Sequence, residues 1–580
     1  MEIKALMAVA AFLTTASPAR AASINEKPVV LMEVGDHADR SVQNVENVPA
    51  PKPDTLWSLS RAAASVGRNS GGMSGAGGTS GNLASFTFDE QQYRSDNDVV
   101  IDLQTVVSTT GPKFVGVTLD ASIFRRLWKD VDVYSKPLHA LAQGLAPSFF
   151  RVGGTAADFF IFDPTSTVKE DSVAADEDQY DYHGYDYDYD YDLPGPDNPA
   201  IKNYTVTGDE WERLNYLVQV AGWDLIFDVN EFLRQDNKWD GDNARKLLTF
   251  SQKRNYTIPC FQLGNEPNAY YHNFHFSIPA SQLASDMQRL RSLLSEFPLY
   301  RNSCIIGPDV TKVTKGSAKQ YLEEFLKTGG QTVVAAATLH HYYFNAKDKG
   351  ASLSDFINTT ILDTLDQELS IGTSITHSLA PKLPVWLTET SSVSGGGLPG
   401  VSDAYAAGFM WLDKLGLSAK YGLQAVLRQS FYHGEYPLIA EDFTPYPDYF
   451  LTLLYKRLVQ GHVLNVSTST DNVRVYASCA NPSHYPKGAL TVYALNVRAV
   501  ATTLNFTQFP GQKYDLYILT PGDEHGLRSP FSALNGEKLV MVNDKLPPLP
   551  PLVHSGPVTF PSYSFGFVVI PNAQVELCKS

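Results

Sequence analysis

The sequence predicts an α/β fold, a (β/α)8 TIM barrel carrying a C-terminal β-sandwich domain. Three observations carry that reading. Eight short apolar runs recur between residues 114 and 432, each with a polar residue at or near its end. Stretches with helical spacing, such as "RKLLTFSQKR" and "ASDMQRLRSLLSEF", stand between them. Beyond about residue 455 the helical stretches stop and only strand patterns follow.

The elements follow in chain order. Residues 1–21 read as a secretory signal peptide, with Lys4, an apolar run from Ala5 to Leu13, and Ala19-Arg20-Ala21 as a small-x-small cleavage site. That run is too short to span a bilayer. Residues 22–95 are low in complexity, include the Gly/Ser tract "GRNSGGMSGAGGTSGN", and are expected to be disordered. Order is expected to begin at "DVVIDLQTV", a strand within residues 96–110 that joins the sandwich.

The barrel is assigned to residues 111–455. Its strands are "FVGVTLD", "SFFRVGG", "DLIFDVN", "CFQLGNE", "CIIGPDV", "AATLHHYYF", "VWLTE" and "AVLRQSFY". In this fold, polar residues at the C-terminal strand ends build the active site. Asp120, Thr155, Asn230, Glu266, Asp309, Tyr342, Glu389 and Gln429 hold those positions. One insert interrupts the barrel at about residues 170–199, where "YDYHGYDYDYDYDLPGPDNP" alternates Tyr with Asp. Charge repulsion and the Pro/Gly end make it a solvated loop, not a strand. The sandwich takes residues 456–580, from "VRVYASCA" to "SYSFGFVVI", with the turn signal Asn535-Gly536 inside it.

The formal net charge of −16 argues against nucleic acid as a partner. An aromatic share of 12% suits a cleft that stacks on sugar rings. Export makes the four cysteines candidates for disulfides. Cys260 and Cys304 sit on neighbouring strands that could bring them into range, a pairing the sequence leaves open. Five sequons, at Asn203, Asn255, Asn358, Asn465 and Asn505, fit a glycoprotein.

The chemistry starts at "CFQLGNEPNAY". Gly264 and Pro267 both rule out a helix, so a short strand stops and presents Asn265 and Glu266 side by side. Glu389, in "VWLTETSS", ends another strand and is the natural partner. A lone Glu of this kind is more often a structural ion-pair member. Two at the ends of separate barrel strands suit glycoside hydrolysis instead. One carboxyl protonates the leaving oxygen, and the other attacks the anomeric carbon from about 5–5.5 Å away in a retaining mechanism.

"GNEP" and "WLTETSS" resemble the retaining (β/α)8 glycosidases. "HHYYFNAKD", "ETSSVSGGG", "SDAYAAGFMWLDKLGLSAKYG", "LRQSFYHGEYPL" and "PYPDYFLTLLYKRLVQG" are similar to the heparanase family of endo-β-glucuronidases, to which leech hyaluronidase also belongs. The resemblance runs from about Asp98 to the C-terminus. It implies Glu266 as acid/base, Glu389 as nucleophile and Asn265 as the amide that bonds the sugar 2-hydroxyl. It implies Tyr342 beside the nucleophile, Asp120, Thr155 and Gln429 as subsite contacts, and Gly434 and Tyr436 on the uronate carboxylate. The "FYHGEY" loop is one residue shorter than in mammalian members and closer to the leech enzyme. A bridge between Cys479 and Cys578, at the edges of strand patterns, is also implied.

Lys312 and Lys315 follow the fifth strand and are candidates to grip sulfate or carboxylate, of the substrate or of the acidic insert. A solvated face is the plainer reading of them. His340 and His341 do not read as a metal site, because adjacent strand residues point to opposite faces. No metal and no cofactor are expected. The expected function is a secreted endo-β-glucuronidase acting on a glycosaminoglycan, with heparan sulfate favoured. Hyaluronan or another uronate polymer is the alternative substrate, and an inactive glycan-binding homologue the alternative class. The expected location is extracellular or lysosomal, with peripheral contact to cell-surface proteoglycan left open.

Overall fold

The structure is a computed structural model that describes residues 95–129, 131–167, 202–347, 350–470 and 473–579. The signal segment, the low-complexity segment up to residue 94 and the Tyr/Asp insert lie outside the described residues.

Eight parallel strands form the barrel: β1 (Val115–Asp120), β2 (Phe149–Gly153), β3 (Asp224–Val229), β4 (Cys260–Leu263), β5 (Gly307–Val310), β6 (Ala337–His341), β7 (Val385–Thr390) and β8 (Ala425–Arg428). Each pairs with the next through β4, β5 to β8 do the same, and β8 returns to β1 with Val426 opposite Val115. The fifth run, "CIIGPDV", is split. Cys304–Ile305 pairs with β4, while β5 pairs with β6. Pro308 has no N–H to give to a ladder, so a change of partner at this point loses little. The Ile306 N–H reaches the Phe261 carbonyl at 3.0 Å and the Gly307 N–H the Ala336 carbonyl at 3.2 Å, which closes the ring from both sides.

Strands buried on both faces need apolar residues inside and out. Val117, Val152, Phe227, Leu263, Leu339 and Leu387 belong to the main core. The exceptions matter most. Thr118, Arg151, Asp228, Gln262, Asp309, Thr338 and Thr388 are buried polar residues, one on each of the seven strands β1 to β7.

A helix, Pro447–Leu458, runs directly into the sheet-rich region. That region contains β9 (Val459–Thr468), β10 (Arg474–Ala480), β11 (Leu490–Asn496), β12 (Thr502–Asn505), β13 (Lys513–Pro521) and β14 (Ser564–Ile570). Strand Ser95–Thr110 lies antiparallel to β9 and parallel to β12, so the start of the ordered chain is built into the C-terminal sheets. Val99, Ile101, Leu504 and Phe560 pack with Leu464, Val492 and Val568 in a core separate from that of the barrel. The two parts meet where the ring of Tyr405 stacks on Phe565 at 4.7 Å and Arg474 forks onto Asp413.

Disulfides join Cys260 to Cys304, which are register partners across β4, and Cys479 to Cys578. Asn203, Asn255, Asn358 and Asn465 are exposed, and Asn505 is half-buried with its amide on Asp98. No helix among the described residues is long and apolar enough to cross a membrane.

Candidate active site

The end of β4 is shaped by its backbone. Gly264 has φ 79°, and a Cβ there would lie 2.4 Å from the Tyr270 hydroxyl, so only glycine fits. Glu266 itself sits in the left-handed region at φ 54°, a conformation that costs a non-glycine residue about 1–2 kcal/mol. Two backbone bonds hold it there. The Glu266 N–H donates to the Asp309 carbonyl at 3.1 Å, and the Asn265 N–H donates to the Asp158 carboxylate at 3.1 Å. Pro267 then opens a short 3-10 turn.

Around Glu266 and Glu389 the buried polar residues close into a ring. Arg151, on β2, donates from Nε to Gln262 Oε1 (2.6 Å), from Nη1 to Glu389 Oε2 (2.8 Å), and from Nη2 to Asn265 Oδ1 (2.8 Å) and Asp309 Oδ2 (2.9 Å). Asp309 Oδ2 also lies 3.3 Å from His340 Nε2, and His340 Nδ1 lies 2.8 Å from Glu266 Oε1. Tyr342 closes the remaining side, its hydroxyl donating to Glu389 Oε1 at 2.7 Å. His340 and Glu389 are register partners on β6 and β7. Both glutamates therefore face one mouth, and each keeps 13% of its side chain exposed while Arg151, His340 and Asp309 are sealed.

The electrostatics follow from this packing. Burial opposes the charge of Arg151, but Asp309, Glu389 and Asp228 outweigh it and hold the guanidinium charged. Burial likewise opposes the charge of His340, but Asp309 and Glu389 outweigh it and lift the imidazole to about 10. Asp309 is held below the usual carboxylate range by Arg151 and His340 in spite of its burial. Asp158, under the Asn265 N–H and the Tyr270 hydroxyl, is pushed up to about 7 by burial. Asp228 is pushed well up by burial and by Asp158.

The other sequence-predicted residues fall in three groups. Asp120 and Thr155 stand at the ends of β1 and β2. Asp120 caps the Ser122 N–H at 2.8 Å, and burial raises its carboxyl. Thr155 begins a 3-10 turn after Gly154, where a Cβ would meet Asp120 Oδ2 at 2.5 Å. Gln429, Gly434 and Tyr436 form a second group past β8. Gln429 accepts from Thr118, Tyr436 packs against Tyr342 at 6.4 Å, and Gly434 at φ 83° leaves no room for a side chain beside Tyr436. Lys312 and Lys315 make the third group. Lys312 turns its ammonium to the Tyr343 carbonyl at 3.3 Å, and Lys315 stands at the N-terminus of helix Gly316–Phe325. Asn230 is spent on structure, bonding the Phe160 carbonyl and the Phe232 N–H.

Sequence reasoning missed Arg151, Asp158 and Asp228, and gave Asp309 a strand-end position without a role. The signal was present: each is a charge inside or beside an apolar strand run. His340 turns into the barrel, whereas His341 packs edge-on to Tyr343 at 4.8 Å, so the two imidazoles diverge. No group of His, Cys, Asp and Glu is arranged to hold a metal ion among the described residues.

A family model described as "Glycosyl hydrolase family 79, N-terminal domain" matches residues 201–416. Heparanase of Gallus gallus is 36% identical over 512 residues, covering 84% of this chain and 97% of its own length. Hyaluronoglucuronidase of Hirudo nipponia is 33% identical over 510 residues, covering 83% and 99%. Inactive heparanase-2 of Homo sapiens is 30% identical over 536 residues, covering 83% and 90%. Among solved structures, a 4-O-alpha-L-rhamnosyl-beta-D-glucuronidase from Fusarium oxysporum 12S is similar in fold, with a TM-score of 0.56 at 16% identity over 82% of this chain and 99% of that chain.

Proposed function

This chain belongs to glycosyl hydrolase family 79 and is a glycoside hydrolase of the heparanase type, and from that premise we propose that it is a secreted, retaining endo-β-glucuronidase cutting internal glucuronosyl linkages of heparan sulfate. The observation that carries the reading is the bonded ring in which Arg151 holds Glu389 and Asn265 while His340 holds Glu266. Glu389 is the nucleophile. Tyr342 and Arg151 each take one of its oxygens, which aims the carboxylate and balances its charge. Glu266 is the acid/base. It gives a proton to the glycosidic oxygen as Glu389 bonds the anomeric carbon. It then takes a proton from the water that displaces Glu389, and two inversions leave the configuration retained. Arg151 occupies the amide oxygen of Asn265, so the amide nitrogen is the end offered to the sugar 2-hydroxyl. Gly434 and Tyr436 hold the uronate carboxylate. Asp120, Thr155 and Gln429 line neighbouring subsites, and Lys312 and Lys315 meet more distant anionic groups of the polymer.

Heparan sulfate is favoured by the extent of the likeness to the heparanases. A second reading, cleavage of hyaluronan, is favoured by the net charge of −16 and by the leech relative. An inactive homologue is disfavoured by the presence of both Glu266 and Glu389 in this chain. Export fits the N-terminal signal, and glycosylation fits the sequons at Asn203, Asn255, Asn358, Asn465 and Asn505. The test is to incubate the enzyme with each polymer and size the products. Shortened heparan sulfate with intact hyaluronan supports the first reading, and the reverse supports the second. Glu389→Gln and Glu266→Gln should each abolish cleavage of the polymer while the fold is kept. Wild-type turnover in either variant overturns the assignment of roles.

A further inference from the structure

We infer that Lys414 is a positioning residue for the glycosidase reaction, a buried clamp that fixes the ends of β6 and β7 and so aims Glu389 and His340. The inference rests on the roles proposed above for Glu266 and Glu389. Lys414 lies on helix Ala407–Lys420, behind the strand that carries the nucleophile, and is 1% exposed. Its Nζ donates to the Thr390 hydroxyl at 2.6 Å, the Ser391 carbonyl at 2.7 Å and the His341 carbonyl at 3.3 Å. These acceptors are the chain neighbours of Glu389 and of His340, which holds Glu266. Thr390 follows Glu389, His341 follows His340, and Thr390 and His341 are themselves register partners.

Such a clamp has a physical reason to exist here. The β6–β7 ladder shifts register between Leu339 and His340, and the β7–β8 ladder shifts between Leu387 and Thr390. Glu389 therefore lies where the regular backbone ladder is interrupted on both sides. Side chains take over that function. Lys414 spans β6 and β7, while Arg428, from the end of β8, donates to Ser391 Oγ at 2.7 Å and is itself held by Asp448 at 2.7 Å. Three oxygen acceptors stand around Nζ, against the burial and the neighbouring Arg428 and Lys312 charges that push its pKa well down, and the group lies 4.8 Å from the centre of the Tyr343 ring. A cavity of about 10 Å³ lies beside it, bordered by Ser391, Trp411 and Arg428. That is room for no more than one water, so Lys414 acts on the strand ends and not on a ligand.

Lys414→Met keeps the length of the side chain and removes its donors. An error of about 1 Å in a reacting group can cost on the order of 100-fold in rate. The variant is expected to lose about 10- to 100-fold in kcat with KM within about twofold of wild type, measured on heparan sulfate per folded enzyme. Thr390→Val removes only the hydroxyl between the clamp and β7. It should lose less, roughly three- to tenfold in kcat, and it serves as the test if Lys414→Met does not fold. Asp413→Asn, its neighbour turned to the sheet-rich region, is the control. It should lower Tm and leave kcat unchanged. Wild-type kcat in folded Lys414→Met, or in Thr390→Val where Lys414→Met does not fold, overturns the inference. So does a loss of kcat in Asp413→Asn equal to that in Lys414→Met. If Glu389→Gln still turns over, the proposed roles fail first. If Glu389→Gln is dead and Lys414→Met is fully active, only the clamp fails.

Discussion

Two arginines in this molecule, Arg151 sealed and Arg474 half-buried, each gather carboxylates, and they do different things. Arg474, at the joint between barrel and sheet-rich region, forks onto Asp413 at 2.6 and 3.1 Å and reaches Asp363 at 2.7 Å, while Tyr476 gives Asp413 another bond at 2.6 Å. Arg151, in the barrel mouth, spreads its donors over acceptors on several strands. It still leaves Asp228, 3.7 Å away, with no hydrogen-bond partner at either oxygen. The first cluster is saturated: Asp413 is fully buried and both its oxygens are bonded. The second is unsaturated and opens to solvent through its two glutamates. The same residue types make a joint whose buried carboxylate, Asp413, is bonded at both oxygens, and a site whose buried carboxylate, Asp228, is bonded at neither.

Breaking each cluster should separate the two roles. Arg151→Lys keeps a charge but cannot hold Glu389, Asn265 and Asp309 at once. It should lower kcat by roughly 100-fold, as for a group that misplaces a nucleophile, and steady-state kinetics on the polymer would check this. Arg474→Lys should leave kcat unchanged and cost about 1–3 kcal/mol of stability through the lost fork, read by denaturant or thermal unfolding. Equal loss of activity in both variants would erase the distinction.

The smaller effects are in pH. His340 titrates at about 10 in the fold, above its ordinary value of 6.5. Its contribution to stability is therefore fully present below pH 6.5 and is lost as pH rises through about 10. The Tm advantage of wild type over His340→Gln should narrow across that window, and a gap that widens instead would contradict the charged imidazole. Activity should peak at acidic pH, because the carboxylic acid that protonates the leaving oxygen must hold its proton. An optimum above about pH 7.5 would count against a carboxyl acid.

Much of the barrel was legible because its strands are short apolar runs with polar residues at or near their ends, and Glu266 and Glu389 stood out at such ends. The ring behind them was not. Arg151 reads as one charge in "SFFRVGG", and Asp228 as one in "DLIFDVN". Nothing local says that β2, β4, β5 and β7 will bring the partners of Arg151 together, since closure of the ring is a long-range event. The split of the fifth strand was hidden for the same reason. Pro308 was visible, but the two different neighbours of "CII" and "GPDV" belong to the assembled barrel. His340 was visible as one of a pair of histidines, and period-two alternation correctly separated their faces. Only the structure turns its Nδ1 to Glu266.

The central claim is that Glu389 attacks the anomeric carbon and Glu266 serves first as acid and then as base. The most direct measurement is the anomeric configuration of the newly formed reducing end, followed by proton NMR from the first minutes of cleavage of a β-glucuronide-linked oligosaccharide. The β-anomer should appear first and then mutarotate, because two displacements at one carbon restore its configuration. An α-anomer appearing first would mean a single displacement by water, and would contradict the account.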